Sequence, residues 1–549
     1  MALQGVFLAG FAILLVYYVG CILRNYLAAR KLGIPIIILP FDNVNPIWLL
    51  LAGPLHRLLK RIGIHHLRMG HLGWEFEEKA GPFLELGCNA LIQVTPGANW
   101  LNVAHPGALT QVFQAERRGD VDRGEGTNML KIFGPNISTA SGADWQRQRK
   151  VTAAAFNERT NRVVWAESLK QGEDMVGNWL AAGEAGVRST ADDTRLFAMN
   201  IIMRGGFGKA YDFQPNPPSV TKSEDTSSSM DYREAMNLII KNAILIIGIG
   251  PDNLEKLGFV SSKLKTLAQA VYTFRQHILD MLEQGQKEGK EVESRGNLLD
   301  ALVRALNNEK QLSRSETMGN SFIYTFGGHD TTAHSLAFTF VLLSVHPEVQ
   351  GWMREELRRE LNGQDSKQWQ YDAHSRLKRT LAVQYETVRL YDPVLGIVRA
   401  VTEGSNFHMS LDGGKTSVRI PPGTNITLNI NAIHAHPQFW GADALEWRPQ
   451  RWIKTEDNGN EELIVPEKGL FTAWSDGMRV CPGKKFGQVE HLGLMASVFR
   501  DHAVEAAAEG DETLAQTKDR IMGVVKDSGM TLNVAMYHPE KAKLVWKRC

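Results

Sequence analysis

The chain has 549 residues, of which 43 % are apolar and 22 % charged, with a net charge of +1. That is enough apolar material for a large core, and the balanced charge excludes both the basic excess of a nucleic-acid binder and a long acidic or basic tail. The four scattered cysteines, Cys21, Cys88, Cys481 and Cys549, exclude a disulfide-stapled domain and a paired-cysteine zinc site and suit a reducing compartment.

Met1 to Leu23 carries no charged side chain. As a helix it reaches roughly 34 Å, enough for a bilayer core of about 30 Å. Arg24, Arg30 and Lys31 follow at once, so the positive-inside rule predicts a single N-terminal span with the body on the cytosolic side. Pro35, Pro40 and Pro46 then break the chain, and residues 24–50 read as a basic, proline-rich hinge. The apolar runs Ile36–Leu39 and Ile47–Leu51 suit either the membrane surface or the body of the protein.

Residues 51–549 read as one helix-rich body without internal repeats. Periodicity predicts helices over Trp165–Trp179, Arg233–Ile246, Ser262–Glu283, Asn297–Asn307, Pro347–Leu361 and Leu377–Leu390. Short strands are predicted at Ala90–Thr95, Val398–Thr402, Ser417–Ile420 and Asn425–Leu428. Gln214–Ser229, rich in proline and serine, reads as a loop. The longest helix starts at Ser313, where Ser313 and Glu316 have the spacing of a capping box, and continues to Val345. Its middle, Gly327-Gly-His-Asp-Thr-Thr332, is a run of poor helix formers, so a local distortion is expected there. Asn136 and Asn425 lie in N-x-S/T sequons, which a cytosolic body would leave unmodified.

The most specific chemistry lies in Trp474-Ser-Asp-Gly-Met-Arg-Val-Cys481-Pro-Gly483. Gly477 permits a tight turn and Gly483 a close approach of backbone to ligand. Pro482 suits the first position of a helix running through Lys484–Phe499. Cys481 then sits at a helix N-terminus, where amide groups and Arg479 stabilise a thiolate. Upstream, Glu386 and Arg389 are three residues apart on one helical face and can both reach a third group. Trp145 and Arg149 are four apart, and Arg399 offers another fork of donors suited to carboxylates.

In this order and spacing the segments resemble those of the cytochrome P-450 family. The resemblance implies a mainly α fold with a small β-sheet subdomain, preceded here by the transmembrane helix. It implies haem b as cofactor, with Cys481 the axial iron ligand; a thiolate ligand favours O–O cleavage. Trp145, Arg149 and Arg399 are implied for the haem propionates, Arg479 for either the thiolate or a propionate, and Trp474, where relatives usually carry phenylalanine, for shielding the sulfur. Glu386, Arg389 and Arg451 form a structural network. Gly327 (alanine is commoner there) and Gly328 leave room for dioxygen and water beside the haem, and Asp330 and Thr331 form an acid–alcohol pair for proton delivery. His329 falls where the family motif leaves the residue free.

The implied activity is a microsomal monooxygenase that hydroxylates or epoxidises a lipophilic small molecule at the endoplasmic reticulum. Texture is similar to fungal secondary-metabolism members, so a terpenoid, polyketide or alkaloid is expected ahead of a fatty acid or sterol. The sequence contains no dinucleotide fingerprint in a strand–turn–helix setting. Electrons are therefore expected from a partner, which the resemblance implies is a separate flavoprotein, NADPH-cytochrome P-450 reductase, with cytochrome b5 as a second candidate donor. Lys484, Lys485, Arg147 and Lys150 are candidate docking cations. Expected pocket walls are Met129–Ile137, Leu238–Ile247, Tyr324, Phe326 and Val394–Ile397. The alternatives are a reductase-independent haem-thiolate isomerase or dehydratase, which the Asp330–Thr331 pair disfavours, and a non-catalytic haem sensor.

Overall fold

A computed structural model describes residues 2–62, 67–215, 230–288, 296–308, 311–361, 363, 365–411 and 417–549. The expected Gln214–Ser229 loop therefore lies almost wholly outside the described residues. Helix makes up 57 % of the chain. The backbone divides into two compact units: Met1–Leu130, Leu395–Leu445 and Pro466–Val480 form one, and Lys131–Val394, Glu446–Val465 and Cys481–Cys549 the other.

The first unit begins with helix α1 (Ala2–Arg30). Its Leu8–Arg30 stretch is long and apolar enough to cross a bilayer, with only Asn25 and Ala29 of it, near its end, buried in the protein. α1 is tied to the sheet at its end, where Asn25 Nδ2 donates to the Thr95 carbonyl at 2.9 Å. Strand β1 (Ile36–Ile38) pairs in parallel with β2 (Ala90–Val94), so the segment read as a hinge contains a hydrogen-bonded strand. Helix α2 (Pro46–Arg61) leaves Ile47, Leu51 and Leu58 exposed, spaced along one helical face. With β3 (Asn99–Val103), β4 (Val121–Arg123), β5 (Ile397–Val401) and β6 (Asn425–Leu428), the sheet order is β1-β2-β3-β6-β5-β4. Between β3 and β4 runs helix α3 (Pro106–Arg118), which Gly119 ends at φ 84°. This left-handed stop turns the chain into β4 and leaves Glu116 of the last turn buried.

The second unit holds the long helices: α4 (Gly142–Ala153), α5 (Glu158–Ala181), α6 (Thr190–Phe207), α7 (Arg314–Leu343), α8 (Lys378–Leu390) and α9 (Lys484–Phe499). A hairpin of β7 (Ser528–Met530) and β8 (Val534–Met536) lies near its C-terminal end. α9 lies close on α5 because small residues meet there: a Cβ on Gly493 would stand 2.8 Å from Ser168, and one on Gly172 2.0 Å from Ser497. The capping box of α7 forms in full. Ser313 Oγ accepts from the Glu316 amide at 3.2 Å, and Glu316 Oε2 accepts from the Ser313 amide at 2.8 Å.

Two expectations change. α7 passes through Gly327–Thr332 without a break. Gly328 abuts α6, where a Cβ would meet Ile202 Cδ1 at 2.8 Å; tertiary packing of this kind supplies helical stability that propensity lacks. The predicted Arg233–Ile246 helix is two helices, Tyr232–Lys241 and Ala243–Ile249. Asn242, at φ −118° and ψ 19°, interrupts them, and its side chain donates back to the Leu238 carbonyl, the backbone competition for which asparagine is known. Asn136 and Asn425 are both buried, so neither sequon is open to a glycosyltransferase in the folded chain.

Arg147 of α4 is clamped by Glu316 at 2.7 Å and by Asp144 at 2.7 Å. The hydrogen bond from Arg147 holds the Glu316 carboxyl at about 2, below its ordinary value near 4.5. A carboxylate depressed by folding adds stability above its unfolded value, and loses it as pH falls through the folded one. Glu316→Gln is therefore expected to lower the unfolding midpoint near neutral pH while flattening its decline between about pH 5 and 2. A midpoint that declines with acid as steeply as in the parent chain would show that this pair does not set the acid limb.

Candidate active site

The cysteine loop starts in the first unit. Gly477 sits at φ 69° and Ser475 at φ 63°, the latter a conformation that a non-glycine residue adopts only under local constraint. A Cβ on Gly477 would come within 3.3 Å of Phe113 of α3. Arg479 is buried and pairs with Glu116 at 2.7 Å and Asp122 at 2.9 Å. Arg399 of β5 pairs with the same Glu116 Oε1 at 2.7 Å and donates through Nη2 to its Oε2 at 3.0 Å. Arg123 of β4 lies directly opposite Arg399 in the ladder. Three guanidinium groups thus gather around two carboxylates, and the buried Arg123 Nε has no hydrogen-bond partner. Burial and the charges of Arg399 and Arg479 push Arg123 well below its usual range. Like charges facing across a ladder oppose one another, so the cluster carries an unmet preference for an anion. Trp474 meets Phe471 edge to face at 5.9 Å.

In the second unit Cys481 is exposed just ahead of α9. The helix starts at Lys484 with Gly483 as its N-cap, so Pro482 occupies the turn before the cap and not the first helical position. The protein packed around the sulfur raises the thiol, while an N–H bond from Gly483 and the charges of Arg149 and Lys484 pull it down. A Cβ on Gly483 would make only ordinary contacts, with Sγ at 3.9 Å and Phe156 at 3.8 Å; what glycine keeps clear there is the space beside the sulfur. On α4, Trp145 is buried, and Arg149, one turn on, has no carboxylate partner among the described residues.

Glu386 and Arg389 are both fully buried and doubly bonded, Nε to Oε2 at 2.8 Å and Nη2 to Oε1 at 2.9 Å. Arg451 Nε donates to Glu386 Oε1 at 2.9 Å. Two further donors, the Arg448 amide and Trp452 Nε1, complete the carboxylate's shell at 2.9 Å each. Sequence reasoning did not identify these two. A bulky aromatic directly after a buried carboxylate's partner was the available signal.

The middle of α7 separates the residues expected to work together. A Cβ on Gly327 would meet nothing within 4 Å, so this glycine faces open space. Gly328, expected to leave room beside the cofactor, is instead the packing contact with Ile202. Thr331 Oγ1 donates to the Gly327 carbonyl at 2.7 Å. Asp330 is buried and faces other partners: Asn533 Nδ2 donates to its Oδ2 at 2.7 Å, and His334 Nε2 lies 3.3 Å from its Oδ1. Burial pushes this carboxyl up, but the charge and hydrogen bond of His334, with the hydrogen bond of Asn533, hold it well below the usual carboxylate range. Burial pushes His329 down to about 4, which leaves that imidazole neutral at physiological pH.

A family model described as cytochrome P-450 matches residues 95–533. The chain belongs to the cytochrome P-450 family. It is similar to a cytochrome P-450 monooxygenase of Arthrobotrys oligospora, with 25 % identity over 95 % of this chain and 94 % of the relative. It is also similar to the phomenoic acid biosynthesis cluster cytochrome P-450 monooxygenase of Leptosphaeria maculans, with 26 % identity over 90 % of each chain. Among solved structures, the haem domain of cytochrome P-450DA shares the fold at a TM-score of 0.64 and 18 % identity, covering 86 % of this chain and 92 % of that one. The chain is accordingly a haem-thiolate P-450 monooxygenase, an oxidoreductase that incorporates oxygen from dioxygen and acts on a substrate.

The residues present fit a P-450 haem. An exposed cysteine sulfur stands beside cations, and a guanidinium cluster with surplus charge suits carboxylate side chains of the kind a haem carries. Two of the expected docking cations are already committed, Arg147 to Glu316 and Lys485 to Glu158 at 2.6 Å. Of the expected pocket walls in the second unit, Phe133, Tyr324 and Phe326 are buried. Phe133 packs against Phe274 at 4.4 Å and Phe322 at 4.9 Å. Tyr232 stacks on Phe274 at 5.8 Å, an aromatic partner that periodicity alone did not single out. Elsewhere, His56, His71 and Glu77 bring three donor atoms within 4.8 Å of one another. The two imidazoles are stacked at 3.9 Å and 15°, so no single ion can lie in both ring planes as placed.

Proposed function

We propose that this P-450 is a membrane-anchored monooxygenase that hydroxylates or epoxidises a lipophilic secondary metabolite. In this reading Cys481 would hold the iron of haem b through its sulfur, and NADPH would supply electrons through a separate flavoprotein reductase, with cytochrome b5 as an accessory donor. The observation that carries the reading is the exposed Cys481 sulfur ahead of α9, flanked by Arg149 and Lys484.

The haem iron, when bound, supplies dioxygen reduction and insertion of one oxygen atom into the substrate. The chain's own residues do the rest. The Gly483 amide and the two cations favour sulfur in its ionised form. Trp145 and Arg149 would meet a propionate, and Arg399, Arg479 and Arg123 form a guanidinium cluster of the kind that suits one. Gly327 leaves space for small molecules. Thr331 holds a hydroxyl proton against the Gly327 carbonyl and keeps its remaining lone pair for an incoming donor. Asp330 keeps a carboxylate one residue away, and the two together would move protons to the site of oxygen reduction.

Residues 1–23 would be the anchor, 24–50 the connection and 51–549 the catalytic body, on the cytosolic face of the endoplasmic reticulum. The apolar α1 and the basic residues that follow it support that orientation. The phomenoic acid cluster member among the relatives supports a secondary-metabolite substrate, a terpenoid, polyketide or alkaloid.

Full-length protein and a version lacking residues 1–23 are to be reconstituted with NADPH, purified reductase and phospholipid vesicles. The full chain is expected to pellet with the vesicles and to consume oxygen when an extract of lipophilic metabolites is added, yielding products heavier by one oxygen. The shortened chain is expected to lose at least half of its vesicle binding. Oxygen consumption that ignores reductase would overturn the electron route, and undiminished integral binding would overturn the anchor.

A further inference from the structure

Asp330 differs from an ordinary buried acid in how fully it is held. His334 follows it by one helical turn, so both project from the same face of α7, and Nε2 lies 3.3 Å from Oδ1. Asn533 comes from the turn between β7 and β8, 203 residues away in sequence, and its amide donates to Oδ2 at 2.7 Å. Each carboxylate oxygen thus has its own donor on an opposite side. Asp330 is 1 % exposed, and His334 and Asn533 are 5 % exposed each; the pairing forms where an unpartnered carboxylate would be costly. Thr331, the next residue, turns its hydroxyl to Gly327, and no hydrogen bond joins it to Asp330.

We propose that His334 and Asn533 are positioning residues for oxygen activation: they clamp both oxygens of the Asp330 carboxylate and so fix the direction and distance from which it takes up a proton from solvent water and passes it to the Thr331 hydroxyl, which gives up its own. The inference rests on the reading of Asp330 and Thr331 as the proton route. With both partners in place the carboxylate reaches Thr331 through a bridging water, and the clamp sets where that water can stand; without a partner the carboxyl turns away and the route is lost. The two arms differ in origin: His334 moves with Asp330 because both are on α7, whereas Asn533 ties the same carboxylate to the hairpin and resists its rotation. The imidazole also keeps the carboxylate charged at a depth where a neutral acid is otherwise favoured. A neutral acid there would hold its proton instead of cycling it.

The test uses dioxygen alone as the probe, with reductase-reconstituted holoenzyme in air-saturated buffer, and measures hydrogen peroxide released per NADPH oxidised. Four electrons and four protons take dioxygen to two waters; two of each stop at peroxide, so poorer proton delivery raises the peroxide share. His334→Leu is expected to raise that share at least about two-fold with haem content and the reduced carbon-monoxide spectrum unchanged. His334→Gln, which retains an N–H donor at similar reach, is expected to restore most of the loss. Infrared spectra of the resting enzyme give a second readout. His334→Leu should show a protonated-carboxyl C=O band that is absent in the parent and disappears again when Asp330→Asn is added.

If His334→Leu does not fold, Asn533→Ala carries the same peroxide and infrared expectations from the other arm. A parent-like peroxide share and infrared spectrum in these variants, while Asp330→Asn and Thr331→Ala both raise peroxide, would overturn the clamp and leave the proton route standing. Parent-like peroxide in Asp330→Asn and Thr331→Ala would overturn the proton route, and the clamp's catalytic role with it.

Discussion

Cys481→Ser is expected to remove the red-shifted carbon-monoxide band of the reduced protein and to take monooxygenation to background, with the helices of both units intact. Serine is nearly the same size, so packing is conserved, and Gly483 offers only ordinary contacts there. What changes is the donor: an alcohol is far less acidic than a thiol and does not supply the electron density that a thiolate gives iron. Circular dichroism should be unchanged while the spectrum is lost. An intact thiolate-type band in this variant would remove Cys481 from the site and redirect attention to the other cysteines.

The second large effect is on folding. Glu386→Ala deletes the acceptor shared by Arg389, Arg451, Trp452 and the Arg448 amide. Two guanidinium groups stay behind in the interior, Arg389 with 0 % and Arg451 with 7 % of the side chain exposed. Removing one partner of such a buried network costs about 3–5 kcal/mol, against a total stability of only about 5–15 kcal/mol for a typical domain. The expected outcome is little accumulated holoprotein and a clearly lowered denaturation midpoint in what remains. Arg451→Ala should cost less, because Arg389 still neutralises the carboxylate. Equal midpoints for Glu386→Ala and the parent would mean the network carries no net stability.

Local signals in the sequence were the ones that translated directly. The Ser313–Glu316 capping box and the i,i+3 pair Glu386–Arg389 each depend on residues within a turn of one another. The misses depend on distance. Glu116, which binds Arg399 across 283 residues, gave no sign of its role within its own helix. Asn533 could not be matched to Asp330 without knowing where the last hairpin folds. Gly327 and Gly328 look alike in a string, yet helical geometry points one to open space and the other into Ile202. Asn242 was legible in principle, because asparagine competes with its own helix, but the apolar period around it concealed the break.

The joint between α1 and the sheet has a practical side. Asn25 is bonded to Thr95, and Ile36–Ile38 form the outermost strand beside β2. Cutting the chain after residue 40 to make it water-soluble would strip that strand and leave β2 as a raw border, ready to recruit a neighbour. Trimming just after the apolar stretch, and keeping everything from Arg24 onward, leaves the border sealed and should yield the better-behaved soluble enzyme.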